Sequence, residues 1–189
     1  LQTAGRQLKE WERDPLTRDL SLAVNVSARQ FRQSGFVRQV SEVVEQNAID
    51  PSRLKIELTE STVLENVADT IEKMHALKSI GVRFSMDDFG TGYSSLAYLT
   101  QLPLDQLKID QSFVRNIGTK SSDAMIIQTI IGMANNLGIE VIAEGVETDA
   151  QREFLLGAGC KFFQGYLFGR PVLAEKFVQL LAQPPGMKG

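Results

Sequence analysis

The sequence predicts an α/β fold built on a mostly parallel sheet. Short apolar runs rich in β-branched residues alternate along the chain with longer stretches of helical period. Gly81, Gly138 and Gly159 each stand between a helical stretch and the next apolar run, where a left-handed cap ends a helix. Repeated alternation of this kind implies strands joined by crossover helices.

The elements follow in order. Leu1, Ala4, Leu8 and Trp11 form an apolar stripe at helical spacing with no helix start signal before it, so the chain is expected to begin inside a helix. Strands are expected at residues 20–26, 54–58, 82–86, 106–109, 139–143 and 161–163. Between them, Phe36, Val40, Val43 and Val44 mark one helix, and Val67, Ile71, Met74 and Leu77 another. Met125, Ile126, Ile130, Met133, Ala134 and Leu137 mark a third, with Met125 and Met133 expected to fill the core. Phe154 and Leu155 sit in a fourth, and Phe177, Leu180 and Leu181 in a fifth.

Two parallel architectures are compatible with this order. An open doubly wound sheet would carry a glycine-rich phosphate loop after its first strand, and none is present. A barrel instead gathers its chemistry at the C-terminal ends of successive strands. Asn25, Glu57, the pair Asp87 and Asp88, Lys108, Glu144 and Gln164 fall at the ends of the six expected strands in turn. An eight-stranded barrel would therefore lack two strands here, at its N-terminal side.

Composition bounds the function. The 189 residues suit one domain with a sizeable core, with 43% hydrophobic and 23% charged residues. A formal net charge of −3 offers no electrostatic footprint for duplex nucleic acid. No apolar run approaches the roughly 20 residues of a membrane span, and nothing resembles a signal peptide. Cys160 is the single cysteine, so no internal disulfide forms, which suits a reducing compartment and points to the cytoplasm.

Asn25, Glu57, Asp87, Asp88 and Glu144 supply oxygen donors only, and the single histidine, His75, lies in a helical stretch. Such a set suits Mg²⁺ or Mn²⁺ rather than zinc. Adjacent carboxylates at a buried strand end repel unless paired, and two divalent cations remove that cost. Two metals about 3.5–4 Å apart activate a water and stabilise the leaving oxygen of a phosphodiester. Lys108 is a candidate to orient that water or to neutralise phosphate charge, and Glu144 to act as ligand or base. Plainer readings stand beside these. Asp87 or Asp88 could cap a helix beginning near Tyr93, Lys108 could be a surface lysine, and Asn25 and Gln164 could be satisfied polar residues. His75 reads as an exposed helix residue, and Cys160 as a small buried hydrophobe.

Several motifs follow one another along the chain: residues 25–31, Asn-Val-Ser-Ala-Arg-Gln-Phe; 57–61, Glu-Leu-Thr-Glu-Ser; and 87–96, Asp-Asp-Phe-Gly-Thr-Gly-Tyr-Ser-Ser-Leu. Lys108-Ile109-Asp110, the run 143–148 (Ala-Glu-Gly-Val-Glu-Thr), the run 164–168 (Gln-Gly-Tyr-Leu-Phe) and Arg170-Pro171 come after them. In this order they resemble the motifs of the EAL family of cyclic-di-GMP phosphodiesterases. The first resembles its asparagine strand, the second its E-x-T-E motif and the third its long catalytic loop.

The resemblance implies a modified TIM (β/α)8 barrel with one strand running against the others, here incomplete at its N-terminus. It makes residues 1–189 an N-terminally truncated EAL domain. It also implies hydrolysis of cyclic di-GMP to pGpG with two Mg²⁺ or Mn²⁺ ions. Asn25, Glu57 and Asp87 would hold the first ion, and Asp87 and Asp88 the second. Glu144 would lie beside both, and Lys108 would contact the nucleophilic water. Gln164 and Glu147 would line the substrate pocket, and Glu60 would brace the loop after Asp88. Residues 94–99 would contribute to a homodimer interface. In the family the Glu-Ala-Leu motif and a following phosphate-binding Arg precede the helix at which this chain opens, and the tripeptide does not occur in these 189 residues. The chain by itself is therefore expected to have little or no activity. A non-catalytic module that binds cyclic di-GMP or a protein, and an inactive fragment dimeric through its exposed edges, are the alternatives. The parent protein can be tethered to a membrane through other domains.

Overall fold

The computed structural model of the chain describes residues 1–90 and 96–182. It opens with helix α1 (Gln2–Trp11) and strand β1 (Leu22–Asn25), followed by α2 (Ala28–Phe31) and α3 (Phe36–Asn47). Strand β2 (Leu54–Thr59) leads into α4 (Glu60–Leu64) and α5 (Val67–Ser79), and β3 (Arg83–Phe89) into α6 (Leu96–Leu99). Strand β4 (Gln106–Ile109) precedes α7 (Gln111–Arg115) and α8 (Ser121–Leu137). Strand β5 (Glu140–Ala143), α9 (Asp149–Gly157), β6 (Phe162–Phe163) and α10 (Ala174–Leu181) complete it.

The six strands form one sheet in the order β1-β2-β3-β4-β5-β6, and every neighbouring pair is parallel. Sequential order decides between the two parallel architectures. A doubly wound sheet reverses its strand order part-way to place helices on both faces, whereas an unreversed order keeps every crossover on one side. The sheet is a half-barrel with helices outside, an incomplete TIM-like barrel. The antiparallel strand that the resemblance implies is not among the described strands.

Alternation along each strand separates two environments. Leu54, Ile56, Leu58, Phe84, Met86, Leu107, Ile109 and Ala143 are buried with Leu8, Val40, Met74, Leu77, Ile130 and Leu155 of the helices. The intervening positions face the bore and are mostly polar: Lys55, Glu57 and Thr59 on β2, Ser85 and Asp87 on β3, Gln106 and Lys108 on β4. Low in the bore, the Gln106 Oε1 accepts from Lys55 Nζ at 3.0 Å and from the Ser85 hydroxyl at 3.4 Å. Burial lowers the Lys55 pKa, against the pull of Glu140 and Glu57.

Local chemistry explains the element starts. Ser27 and Gln30 form a capping box on α2, and Thr148 and Gln151 another on α9. Gly138 takes the left-handed conformation, φ 69°, at the end of α8 as its position in the sequence predicts. Two expectations are corrected. Strand β3 runs on from Met86 to Phe89 because a bulge lengthens it. Met125, expected in the core, is 64% exposed, and Ile127, Ile130, Ile131 and Ala134 form the buried stripe of α8 instead. Apolar residues lie on more than one face of that helix, so period alone could not choose between stripes. Met133 is partly buried against the core, as expected. His75 is exposed and Cys160 is buried. No helix among the described residues is long and apolar enough to cross a membrane.

Candidate functional site

The site begins with a backbone irregularity. Met86 pairs with Leu107 and Phe89 with Ile109, so Asp87 and Asp88 together stand opposite the single residue Lys108. In a regular strand, consecutive side chains point to opposite faces, and Asp88 would enter the apolar layer beneath the helices. The bulge prevents this. Asp88 adopts φ 55°, in the left-handed region, and its N–H donates to Asp87 Oδ1 at 3.0 Å. That conformation costs an L-residue on the order of 1 kcal/mol, less for Asp than for bulkier residues. The result is a cluster in which carboxylate oxygens of Asp87, Asp88 and Glu144 lie within 4.8 Å of one another.

Lys108 sits under this cluster and is almost wholly buried. Its ammonium lies 2.7 Å from Glu144, 3.0 Å from Glu57 and 3.1 Å from Asp87. Burial pulls its pKa down, but the hydrogen bond to Glu144 and the charges of Glu57, Glu144 and Asp87 outweigh it, leaving the pKa above the ordinary lysine value. Burial raises the pKa of Glu144, with Lys108 opposing. Burial and then the Asp87 charge raise that of Asp88. The surface-lysine reading of Lys108 is excluded by this placement.

The other expected residues take definite places. Asn25 ends β1 in register with Glu57. Glu60, the first residue of α4, is buried and its Oε2 accepts from the Gly90 N–H at 3.1 Å. Thr59 caps that helix, its hydroxyl accepting from the Thr62 N–H at 3.3 Å. The capping alternative for Asp87 or Asp88 concerns a helix near Tyr93, and that start, with the loop 91–95, lies outside the described residues; α6 is described from Leu96. Gln164 and Glu147 both line a cavity of about 340 Å³ that opens beside Glu144.

Sequence reasoning assigned no role to several neighbours. Asp110 interacts with Asp88 and contributes to raising its pKa. The alternation Lys108-x-Asp110 was the available signal, since residues two apart share a face. Gln111 and Arg115, at the two ends of α7, also line the cavity with Gly145, Gly165 and Tyr166. No strand period could place them, because they lie on α7, a short helix after β4. Gly165 allows that cavity wall to close: a Cβ there would lie 2.2 Å from the Val146 carbonyl oxygen.

A buried cation surrounded by carboxylates, at the C-terminal ends of parallel strands and beside a cavity large enough for a nucleoside, suits binding of hard cations and of a phosphate ester. Comparison with known proteins agrees. The profile described as "EAL domain" matches residues 1–171. The bifunctional diguanylate cyclase/cyclic di-GMP phosphodiesterase MucR of Pseudomonas aeruginosa is 42% identical over 182 residues, 96% of this chain and 26% of MucR. The cyclic di-GMP phosphodiesterase NbdA of the same organism is 45% identical over 153 residues, 81% of this chain and 20% of NbdA. The chain thus spans about a quarter or less of these relatives' length. The structure of the MucR phosphodiesterase in complex with c-di-GMP superposes with a TM-score of 0.90 at 41% identity, covering 93% of this chain and 71% of that one. The calcium/cy-diGMP complex of Klebsiella pneumoniae BlrP1 superposes with a TM-score of 0.80 at 29% identity, covering 90% and 42%.

Proposed function

Because this chain belongs to the EAL domain family, we propose that it carries most of the site with which its parent protein hydrolyses cyclic di-GMP to pGpG. The observation that carries the reading is the bulge at Asp87 and Asp88, which turns two consecutive carboxylates into one cluster with Glu144, above Lys108. A strained, charged arrangement of this kind serves no packing purpose.

The donor set fits hard divalent cations: all its atoms are oxygens, and those of Asp87, Asp88 and Glu144 lie within 4.8 Å of one another. Asn25, Glu57 and Asp87 would hold one Mg²⁺ or Mn²⁺, and Asp87 and Asp88 a second, with Glu144 beside them. Such a pair of ions supplies Lewis acidity toward the attacking water and the leaving oxygen. The chain's own residues do the rest. Lys108 holds positive charge at a fixed point and contacts the water. Glu144, its pKa raised by burial, is suited to accept a proton from that water. Glu60 fixes the backbone after the bulge through Gly90, so that Asp88 keeps its orientation. Gln164 and Glu147 line the cavity for the rest of the dinucleotide.

The test is production of pGpG from cyclic di-GMP by the full-length protein in Mg²⁺ or Mn²⁺, followed by chromatography; no product at saturating metal would sink the reading. These 189 residues lack the Glu-Ala-Leu tripeptide, whose Glu is an additional ligand in the family. We therefore expect turnover by this chain alone to be weak or absent, which leaves non-catalytic binding of the dinucleotide or of a protein as the second reading for the chain by itself.

We further place the domain in the cytoplasm and in a homodimer. The exposed apolar residues Met125 (64%) and Ile126 (37%) in the first turns of α8, and Tyr98 on α6, supply a surface for a second copy. Light scattering is expected to give a dimeric mass for the wild type and a monomeric mass for the double substitution Met125→Asp, Ile126→Asp. A dimeric mass for both would exclude this face.

A further inference from the structure

The cavity beside Glu144 has one acidic wall and one basic wall. Glu147 stands on the loop after β5, and Arg115 on the last residue of α7. Arg115 makes no ion pair among the described residues, although two carboxylates line the same cavity. The backbone segments that carry the two walls are held together. Val114 and Val146, the residues preceding them, are both fully buried. The Gln151 side chain joins the two segments: its Oε1 accepts from the Glu147 N–H at 2.8 Å and the Thr148 N–H at 3.0 Å, and its Nε2 donates to the Val114 carbonyl at 3.3 Å. Gly145 presses the loop against α7, where a Cβ would come within 2.6 Å of Gln111 Cβ. The cavity is thus preorganised rather than assembled around a ligand.

A guanine base has the complementary chemistry. Its O6 and N7 accept hydrogen bonds, which the two-pronged guanidinium of an arginine matches, and its N1–H and N2 amine donate, which a carboxylate matches. Adenine presents an N6 donor where guanine has O6 and lacks the N2 amine, so it opposes both walls. The cavity volume of about 340 Å³ accommodates one nucleoside.

We propose that Arg115 is a specificity-determining residue that reads the O6/N7 edge of one guanine of the substrate, with Glu147 on the opposite edge. This rests on the cyclic-di-GMP reading above and adds to it the residue that excludes adenine.

The test is calorimetric titration of the full-length protein in Ca²⁺ with cyclic di-GMP and with cyclic di-AMP, for the wild type, Arg115→Ala and Arg115→Lys. The expected result is a preference of the wild type for cyclic di-GMP. Arg115→Ala should lose about 10- to 100-fold in affinity for that ligand alone, and Arg115→Lys should recover part of the loss. Unchanged affinity in Arg115→Ala, with an intact thermal melt, overturns the proposal while leaving the phosphodiesterase reading in place. An equal loss toward both dinucleotides also overturns it, and assigns Arg115 to phosphate. Binding of neither dinucleotide by the wild type removes the cyclic-di-GMP reading and this proposal together.

Discussion

Replacing Asp87 with asparagine in the full-length protein is expected to reduce cyclic-di-GMP hydrolysis by about 10³-fold or more. Calorimetry should show Mn²⁺ binding weakened by about 100-fold. Asp87 is the residue on which the proposed site converges. It lies within the cluster of oxygens shared with Asp88 and Glu144, and it is 3.1 Å from the Lys108 ammonium. Asparagine keeps the shape and one oxygen but removes the charge that would bridge two cations. The side-chain oxygen can still accept from the Asp88 N–H, so the bulge should survive and the variant should melt close to the wild type. Loss of turnover with intact stability is the signature of a ligand. Wild-type turnover in this variant would remove Asp87 from the mechanism.

Replacing Lys108 with methionine acts on stability as well as on turnover. Three carboxylates surround the buried ammonium, and removing it leaves them without a counter-charge. Breaking a buried ion pair from one side costs about 3–5 kcal/mol. For a domain of this size that corresponds to a fall in Tm of about 10 °C at neutral pH. The pH dependence carries the sign. The Glu144 carboxyl is already raised above its ordinary value of 4.5, and loss of Lys108 would raise it further. Above the ordinary value and below its own pKa, the folded chain then holds more protons than the unfolded chain, so stability falls as pH rises through that window. The deficit of the variant should be largest at neutral pH and should shrink as pH falls toward 4.5. Lys108 itself has a linkage of the same sign, at a much higher pH. Its raised pKa stabilises the fold fully below the ordinary value of 10.5 and loses that contribution only as pH rises through the folded value. A variant that melts like the wild type at neutral pH would show that Lys108 does not hold the cluster together.

Much of the fold was legible because the sheet is parallel and covered by helices on its outer side. That arrangement makes strands into short apolar runs and helices into periodic stretches. The runs near residues 20, 54, 82, 106, 139 and 161 correspond to β1 through β6 with ends shifted by at most a few residues. Glycines at helix ends and the capping boxes at Ser27 and Thr148 are equally local signals. Helix α8 was less legible: a 17-residue helix with apolar residues on several faces offers more than one stripe to bury.

The sequence by itself determined the residue types at the strand ends, the order in which they arrive, and the family they resemble. These depend on neighbours along the chain. It also placed Asn25, Glu57, Asp87, Lys108, Glu144 and Gln164 at one end of the sheet, since parallel strands bring all their C-termini to the same side. Only the tertiary structure decided that Asp88 joins Asp87 on the bore side. Strict alternation would send it the other way, and the bulge that reverses it is set by pairing with β4, a strand far along the chain. The same holds for the burial of Lys108 among three carboxylates, from β2, β3 and the loop after β5, and for the placing of Arg115 and Glu147 on the walls of one cavity. Those contacts join segments remote in sequence. Their electrostatics arise from desolvation and proximity, which exist only once the strands have paired and the helices have packed over them.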